Sequence, residues 1–298
     1  MIANDLLVDD LNQVANVYIH SAPDYSEVYD IMWNNQHANQ VENIETWGIN
    51  RKSKLDQLIG SLAKNSITKD SVVLDLCSGL GRLSAAVLET GCQYVVLADA
   101  SVSGLRNSRD KFLKLGLDEK KYCHVQLDAQ YVAGCFKKGS FDVVLHYYAL
   151  QHIPNYRSVI DGVFDILKQG GLFAFNFFTE GTTHYVTDEL RKIFLGQKPS
   201  DINQFFDDIG FVRCSRVSAQ KANLLDKLPL LQSKYQFVPD LLTLINEYGE
   251  DLVDSKLNFE DFTTPSIHNF SHAEIRDYCT GIGFRVVDES PGRIVAKK

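Results

Sequence analysis

The chain has 298 residues, 45% of them hydrophobic and 23% charged, and a formal net charge of −8. That balance fits a globular protein long enough to bury a sizeable core. The negative charge argues against a broad phosphate-neutralising surface, so no nucleic-acid partner is expected, and no apolar run is long enough to span a bilayer, so no membrane partner is expected.

The first residues, Met1-Ile2-Ala3-Asn4-Asp5, lack the basic and apolar regions of a secretory signal. Six cysteines (Cys77, Cys92, Cys123, Cys135, Cys214, Cys279) are scattered without a CxxC pair, so they read as reduced thiols in a cytoplasmic setting. Residues 1–66 read as helical and carry Tyr18, Tyr25, Tyr29, Trp33 and Trp47. Ser53 is placed to cap a helix, with Asp56 three residues on and Leu55, Leu58, Ile59 and Leu62 forming an apolar stripe at helical spacing.

From residue 70 strand and helix patterns alternate. Val72–Leu76 is a fully apolar run broken only by Asp75. A helix over 83–88 stops near Gly91, and a strand over 94–98 ends at Asp99. A helix over 103–115 precedes a strand over 122–127 that ends at Asp128. A strand over 141–147, a helix over 156–168 and a strand over 172–178 follow the same rhythm, the last after a Gly170-Gly171 turn. Continuous apolar strands separated by helices predict a parallel sheet covered on both faces, whose ligands bind beyond the carboxyl ends of the strands. Asp75, Asp99, Asp128 and His146 all fall at those ends.

Residues 179–270 are too long for a loop and read as a helical insertion, with helices at 190–195, 224–231 and 241–248, and with Pro229 and Pro239 at helix boundaries. Ser271-His272-Ala273-Glu274 has the form of a capping box for a last helix. Strands over 285–288 and 293–296, joined by Ser290-Pro291-Gly292, must be antiparallel.

The turn Cys77-Ser78-Gly79-Leu80-Gly81 carries the most chemical information. Gly79 and Gly81 let backbone approach a ligand closely. Asp75 just before them would repel a pyrophosphate but suits an ammonium or sulfonium charge. Ser84 also stands where a dinucleotide fingerprint has its third glycine, which disfavours a nicotinamide or flavin dinucleotide. Asp99 lies 18 residues after Gly81, where the next strand must end, and a carboxylate there can accept from two ribose hydroxyls. The plain alternative is that these acids only cap helices.

In order along the chain, these elements resemble the class I S-adenosylmethionine-dependent methyltransferases, over residues 70–178 and 271–297. Val72–Gly81 resembles the family's first motif, with Cys77 where its first glycine is usual. Leu97-Ala98-Asp99-Ala100-Ser101 resembles the second motif, whose acid holds the ribose, and Leu127-Asp128-Ala129 the third, whose acid receives the adenine amino group. Ser140 through Ile153 resembles the fourth, Leu167–Leu172 the turn into the fifth strand, and Gly283–Val286 the entry to the terminal hairpin. The resemblance implies a Rossmann-like α/β fold with a mostly parallel sheet and a C-terminal antiparallel hairpin. Its parts would be a helical N-terminal lid (1–66), a cofactor-binding core (67–178), a helical insertion covering the substrate (179–270) and a core completion (271–298).

It also implies S-adenosylmethionine as cofactor, held by Asp75, Cys77, Gly79, Gly81, Asp99, Ala100, Asp128, Ala129 and His146, with Arg51 pairing the cofactor carboxylate. The expected reaction is methyl transfer to oxygen or nitrogen of a small molecule, with a protein, peptide or carrier-bound substrate, or a non-catalytic binding module, as alternatives. His152 is the first candidate for a base and His146 the second; the plain reading of each is a satisfied structural imidazole. Tyr29, Trp33, Tyr147, Gln151 and His268 are the expected substrate contacts; Tyr148 belongs to the cluster after the fourth strand, Asn269 and Phe270 follow His268, and His184 and Tyr185 lie just past the fifth strand.

Overall fold

The computed structural model describes residues 2–8, 11–14, 17–21, 26–40, 51–60, 66–180, 185–209, 221–247, 264 and 267–298. The chain divides into two compact units, Met1–Glu180 with Ser266–Lys298, and Gly181–Pro265. The strands are β1 (Asn12–Val14), β2 (Val17–Ile19), β3 (Val72–Leu76), β4 (Tyr94–Asp99), β5 (Tyr122–Gln126), β6 (Phe141–His146), β7 (Leu167–Asn176), β8 (Arg285–Ser290) and β9 (Arg293–Lys297). In chain order the helices are α1 (Ile2–Leu6), α2 (Ser26–Gln40), α3 (Arg51–Ile59), α4 (Arg82–Glu89), α5 (Val102–Lys114) and α6 (Val132–Cys135). They continue with α7 (Tyr156–Ile166), α8 (Tyr185–Phe194), α9 (Pro199–Asp208), α10 (Lys221–Leu231), α11 (Val238–Glu247) and α12 (His272–Ile282).

The first unit is built on one nine-stranded sheet in the order β1-β2-β5-β4-β3-β6-β7-β9-β8. From β2 to β7 neighbouring strands are parallel, and β9 closes the far side antiparallel to both β7 and β8. β3 and β4 are buried along their whole length because both faces are covered. Leu74, Val96, Val125, Val144 and Phe173 pack on one face, while Val73, Val95, Leu97, Val143 and Leu145 pack on the other. The period-2 alternation of the strand thus divides one apolar run between two cores. Register pairs Leu76 with both Ala98 and His146, and Asp99 with Gln126, so the carboxyl ends of four central strands finish level.

Several local expectations are corrected. Residues 12–19 form a hairpin that adds to the sheet edge beside β5, within the segment read as helical. Strands of three residues are too short to show alternation. Ser53 lies inside α3, which starts at Arg51; the buried stripe of Leu55, Leu58 and Ile59 is as expected, and Leu62 lies outside the described residues. Gly170-Gly171 does not separate helix from strand. β7 runs through both glycines, because residues 168–171 bulge opposite Asp142 between the Phe141–Leu167 and Val143–Leu172 pairs. Ser271 starts α12 without a side-chain cap bond, and Glu274 instead accepts from Tyr156 Oη at 2.9 Å and Arg157 Nη2 at 3.3 Å.

The second unit is helical in its described residues, α8 to α11. An aromatic core of Phe194, Phe205, Tyr235 and Phe237 holds it, with ring centroids 5.0–5.3 Å apart in edge-on pairs. α9, which sequence periodicity missed, supplies Phe205. Pro229 sits inside α10 and marks no boundary, whereas Pro239 is the second residue of α11. No described helix is long and apolar enough to cross a membrane.

Candidate active site

β3 ends in a turn with three left-handed residues: Cys77 (φ 60°), Gly79 (φ 53°) and Gly81 (φ 72°). Only the two glycines take that backbone without a Cβ penalty, so Cys77 holds a glycine's conformation with a side chain attached. The turn is fixed by Ser78 N–H donating to Ala98 O at 3.1 Å and Gly81 N–H to Ser78 O at 2.9 Å. A Cβ at Gly81 would meet Leu97 and Phe112 at 2.9 Å, so that glycine serves core packing as well as the turn.

The three strand-end carboxylates are buried and each accepts from its own chain. Asp75 Oδ2 accepts from Ser84 N–H at 3.1 Å and Ser84 Oγ at 2.6 Å, tying the strand to the first turn of α4. Asp99 Oδ2 accepts from Gly79 N–H and Oδ1 from Ser101 N–H, at 2.8 and 2.9 Å. Asp128 Oδ1 accepts from Gln130 N–H at 3.1 Å, and both its oxygens lie within bonding distance of the Gln130 amide. The capping reading and the binding reading therefore coexist, since a carboxylate has about four acceptor positions. Burial pushes Asp75 up to about 7 against the pull of the Ser84 bonds, with Asp99 repulsion adding to it. Burial also pushes Asp99 up to about 6. Carboxyls held this high await a positive charge or further donors. Ala100 O accepts from Gln126 Nε2 at 3.0 Å, and Ala129 is buried beside Asp128.

His146 and the residues after it form the other half of the site. His146 is fully buried, and its Nδ1 donates to Leu76 O at 3.1 Å. Burial lowers its pKa to about 4, so the ring is neutral and Nε2 is a bare acceptor rather than a strong base. Gln151 Nε2 donates to Tyr148 O at 2.8 Å, and Gln151 O accepts from His268 N–H at 2.8 Å, which brings these residues together. His152 is buried and its ring stands edge-on to Phe178, 6.1 Å between centroids. His268 stacks on Phe270 at 5.5 Å.

Sequence reasoning names Tyr148 in this cluster but misses its backbone angle, and it misses Asn176, Phe178 and Lys54 altogether. Tyr148 has φ 49° and is exposed; Asn176 Oδ1 accepts its N–H at 2.6 Å; Phe178 lies 6.1 Å from it; and Lys54 Nζ sits 5.7 Å over the Tyr147 ring. Nothing in a Tyr-Tyr pair announces a positive φ, and the partner Asn176 lies 28 residues away.

The N-terminal candidates separate. The Trp33 indole lies on the glycine turn itself, where a Cβ at Gly79 would meet it at 2.4 Å and one at Gly104 at 2.8 Å. Asp30 holds α2 there by accepting from Ser101 Oγ and, at 2.9 Å, from Ser103 N–H. Tyr29 is half-buried one turn before Trp33. Tyr18 is part of β2, paired with Val125. Arg51 is taken away from the turn: it pairs with Glu89 at the far end of α4, about 12 Å of helix rise from Gly81. Tyr25, Trp47 and His184, and the side chain of Tyr185, lie outside the described residues.

This arrangement of acids, glycine turn and strand order defines a class. The family described as "Methyltransferase domain", whose members use S-adenosylmethionine, matches residues 73–171, a third of the chain. Over 102 residues the chain is 34% identical to demethylmenaquinone methyltransferase of Lactococcus lactis subsp. lactis, covering 33% of this chain and 38% of that protein. It is 29% identical over 111 residues to the ubiquinone/menaquinone biosynthesis C-methyltransferase UbiE of Wigglesworthia glossinidia brevipalpis, covering 36% and 42%. The match thus spans about two fifths of the length of these relatives. Among solved structures, 1,6-didemethyltoxoflavin-N1-methyltransferase of Burkholderia thailandensis has a TM-score of 0.48 at 14% identity, over 97% of this chain and 99% of that one.

The residues present fit the cofactor of that class. Among the described residues, seven buried side-chain polar atoms have no hydrogen-bond partner. Five of them belong to this site: Trp33 Nε1, Ser78 Oγ, His146 Nε2, Gln151 Oε1 and His268 Nε2. Buried polar groups are ordinarily satisfied, so such a concentration at one end of the sheet is compatible with a polar ligand there.

Proposed function

We propose that the chain transfers a methyl group from S-adenosylmethionine to a small-molecule acceptor. The observation that carries this is the convergence of Asp75, Asp99 and Asp128 with the Gly79–Gly81 turn at the level carboxyl ends of β3, β4 and β5, among the five unpartnered polar atoms. Asp99 accepts from the ribose hydroxyls, Asp128 from the adenine amino group, and the turn and Asp75 take the amino-acid end. Bound there, the cofactor supplies an electrophilic methyl on a sulfonium. Tyr147, Gln151 and His268 contact the acceptor, and positioning supplies much of the rate. His152 takes the proton when the acceptor is a hydroxyl. His146, neutral and with its Nε2 open, serves as a hydrogen-bond acceptor. The name of one relative, a C-methyltransferase, adds carbon to oxygen and nitrogen as the methylated atom.

Calorimetry with S-adenosylhomocysteine tests the reading. Wild-type protein should bind it, and Asp99→Ala should weaken binding by roughly tenfold or more, the loss of a charged hydrogen-bond acceptor. Equal affinity of the two proteins would remove the ribose assignment.

A further inference from the structure

The residue directly after the His146-Tyr147 pair is the most unusual one in the site. Tyr148 carries a bulky side chain in the left-handed region at φ 49°, yet the residue is 48% exposed, so core packing does not impose the conformation. What imposes it is Asn176, itself buried at the end of β7, whose Oδ1 accepts the Tyr148 N–H at 2.6 Å. Strain of this kind persists where the surroundings over-determine it, and it gathers at ligand clamps. Here the strain holds a ring outward at the carboxyl ends of two neighbouring strands, β6 and β7.

The rings around it are arranged as a set. Tyr147 meets Tyr148 edge-on at 4.8 Å, Phe178 is tilted 54° to Tyr148 at 6.1 Å, and His152 meets Phe178 edge-on at 6.1 Å. Edge-on and tilted rings leave faces on which another ring can stack. Charge narrows the choice. An aromatic cage for an ammonium keeps its π-faces for the ligand cation. In this site Lys54 already stands over Tyr147, and Arg82 is near enough to lower the Lys54 pKa after the effect of burial. A cationic acceptor stacked there would meet the like charge of Lys54, whereas a neutral or anionic ring would not.

Resting on the methyltransferase reading, we propose that Tyr148, Tyr147 and Phe178 form a clamp for a planar aromatic acceptor that is neutral or anionic, such as a phenol or phenolate. Asn176 is a positioning residue, acting through the Tyr148 backbone. His152, at the inner end of the ring set, faces the acceptor hydroxyl.

The test is calorimetric titration of 2-naphthol and of tetramethylammonium into protein saturated with S-adenosylhomocysteine. Wild-type protein is expected to bind 2-naphthol in preference to tetramethylammonium. Tyr148→Gly, which removes the ring and relieves the backbone, should bind 2-naphthol about tenfold more weakly, as should Phe178→Ala, while Tyr148→Phe restores binding. Lys54→Met should narrow the preference against tetramethylammonium. Wild-type affinity for 2-naphthol in Tyr148→Gly, no 2-naphthol binding by the wild type, or a preference for tetramethylammonium would each overturn the clamp. If S-adenosylhomocysteine binds and the clamp fails, the methyltransferase reading stands. If S-adenosylhomocysteine does not bind but 2-naphthol binding still depends on Tyr148, the clamp stands and the cofactor reading falls.

Discussion

Cys77 offers a sharp test of the turn, because Ala and Gly at this position should rank in the reverse of their usual order. At an ordinary position Gly is less favourable than Ala by about 0.5–1 kcal/mol, since it gains more freedom on unfolding. At φ 60° an L-residue carries a left-handed cost of about 1–2 kcal/mol that Gly does not. The difference leaves Cys77→Gly more stable than Cys77→Ala by roughly 0.5–1 kcal/mol. Comparing the two variants with each other removes the loss of the thiol, which is common to both. The chain holds two compact units, so a single unfolding transition is an unsafe readout. Hydrogen exchange of the β3 amides, which reports opening of the strand that feeds the turn, is the appropriate assay. Greater protection in Cys77→Ala than in Cys77→Gly would refute the left-handed geometry and, with it, the account of why a glycine suits this position.

Other outcomes follow from the same geometry. The Asp75 carboxyl rises from 3.8 to about 7 on folding, so the native form holds its proton more tightly and stability falls as pH climbs from about 4 to about 7. Asp75→Asn should therefore be more stable than wild type at pH ~8 and lose that advantage near pH ~4, as read by hydrogen exchange of the β3 amides in the two proteins at each pH. A cationic ligand prefers the ionised carboxylate, so wild-type affinity for S-adenosylmethionine should rise through pH 6–7, and a flat profile would argue that Asp75 does not feel the ligand. Gly79→Ala adds a Cβ 2.4 Å from Trp33 at a positive φ; weaker hydrogen-exchange protection of the β3 amides is expected, and unchanged protection would show that the indole does not rest there. His152→Ala should lower kcat by about 10²-fold or more with a hydroxyl acceptor while leaving S-adenosylhomocysteine affinity within about twofold. Equal kcat would remove it as base.

The parts of this chain that were legible in the sequence are those where burial writes a pattern. β3 to β7 read as apolar runs because both faces are covered, and the acids at their ends were visible as interruptions just before turns. Residues 12–19 were not legible, since β2 is a strand only by virtue of β5, more than 100 residues away. The capping box at Ser271 misled because Glu274 is drawn to Tyr156 and Arg157, partners that local sequence does not reveal. The site followed the same division. Asp75, Gly79 and Asp99 stand where the spacing puts them, at the ends of β3 and β4, while the strained backbone of Tyr148 is not legible, because an angle set by Asn176 leaves no mark on composition. Arg51 follows from the resemblance and its charge, and neither reveals that Glu89 on α4 pairs with it.

The strand order also bears on how the chain is made. β3, β4, β5, β6 and β7 follow one another between Val72 and Asn176, and each pairs only with others of that stretch or with edge elements. A ribosome releasing the chain in order would expose a nearly self-sufficient parallel sheet, along with the cofactor end of the site, before the second unit and β8–β9 have been synthesised. β9 then arrives last, over 100 residues after β7, to cover what had been an open edge. During that interval the β7 edge is a free template for strange strands, so slow synthesis between residues 181 and 285 should favour aggregation, and early cofactor binding should oppose it.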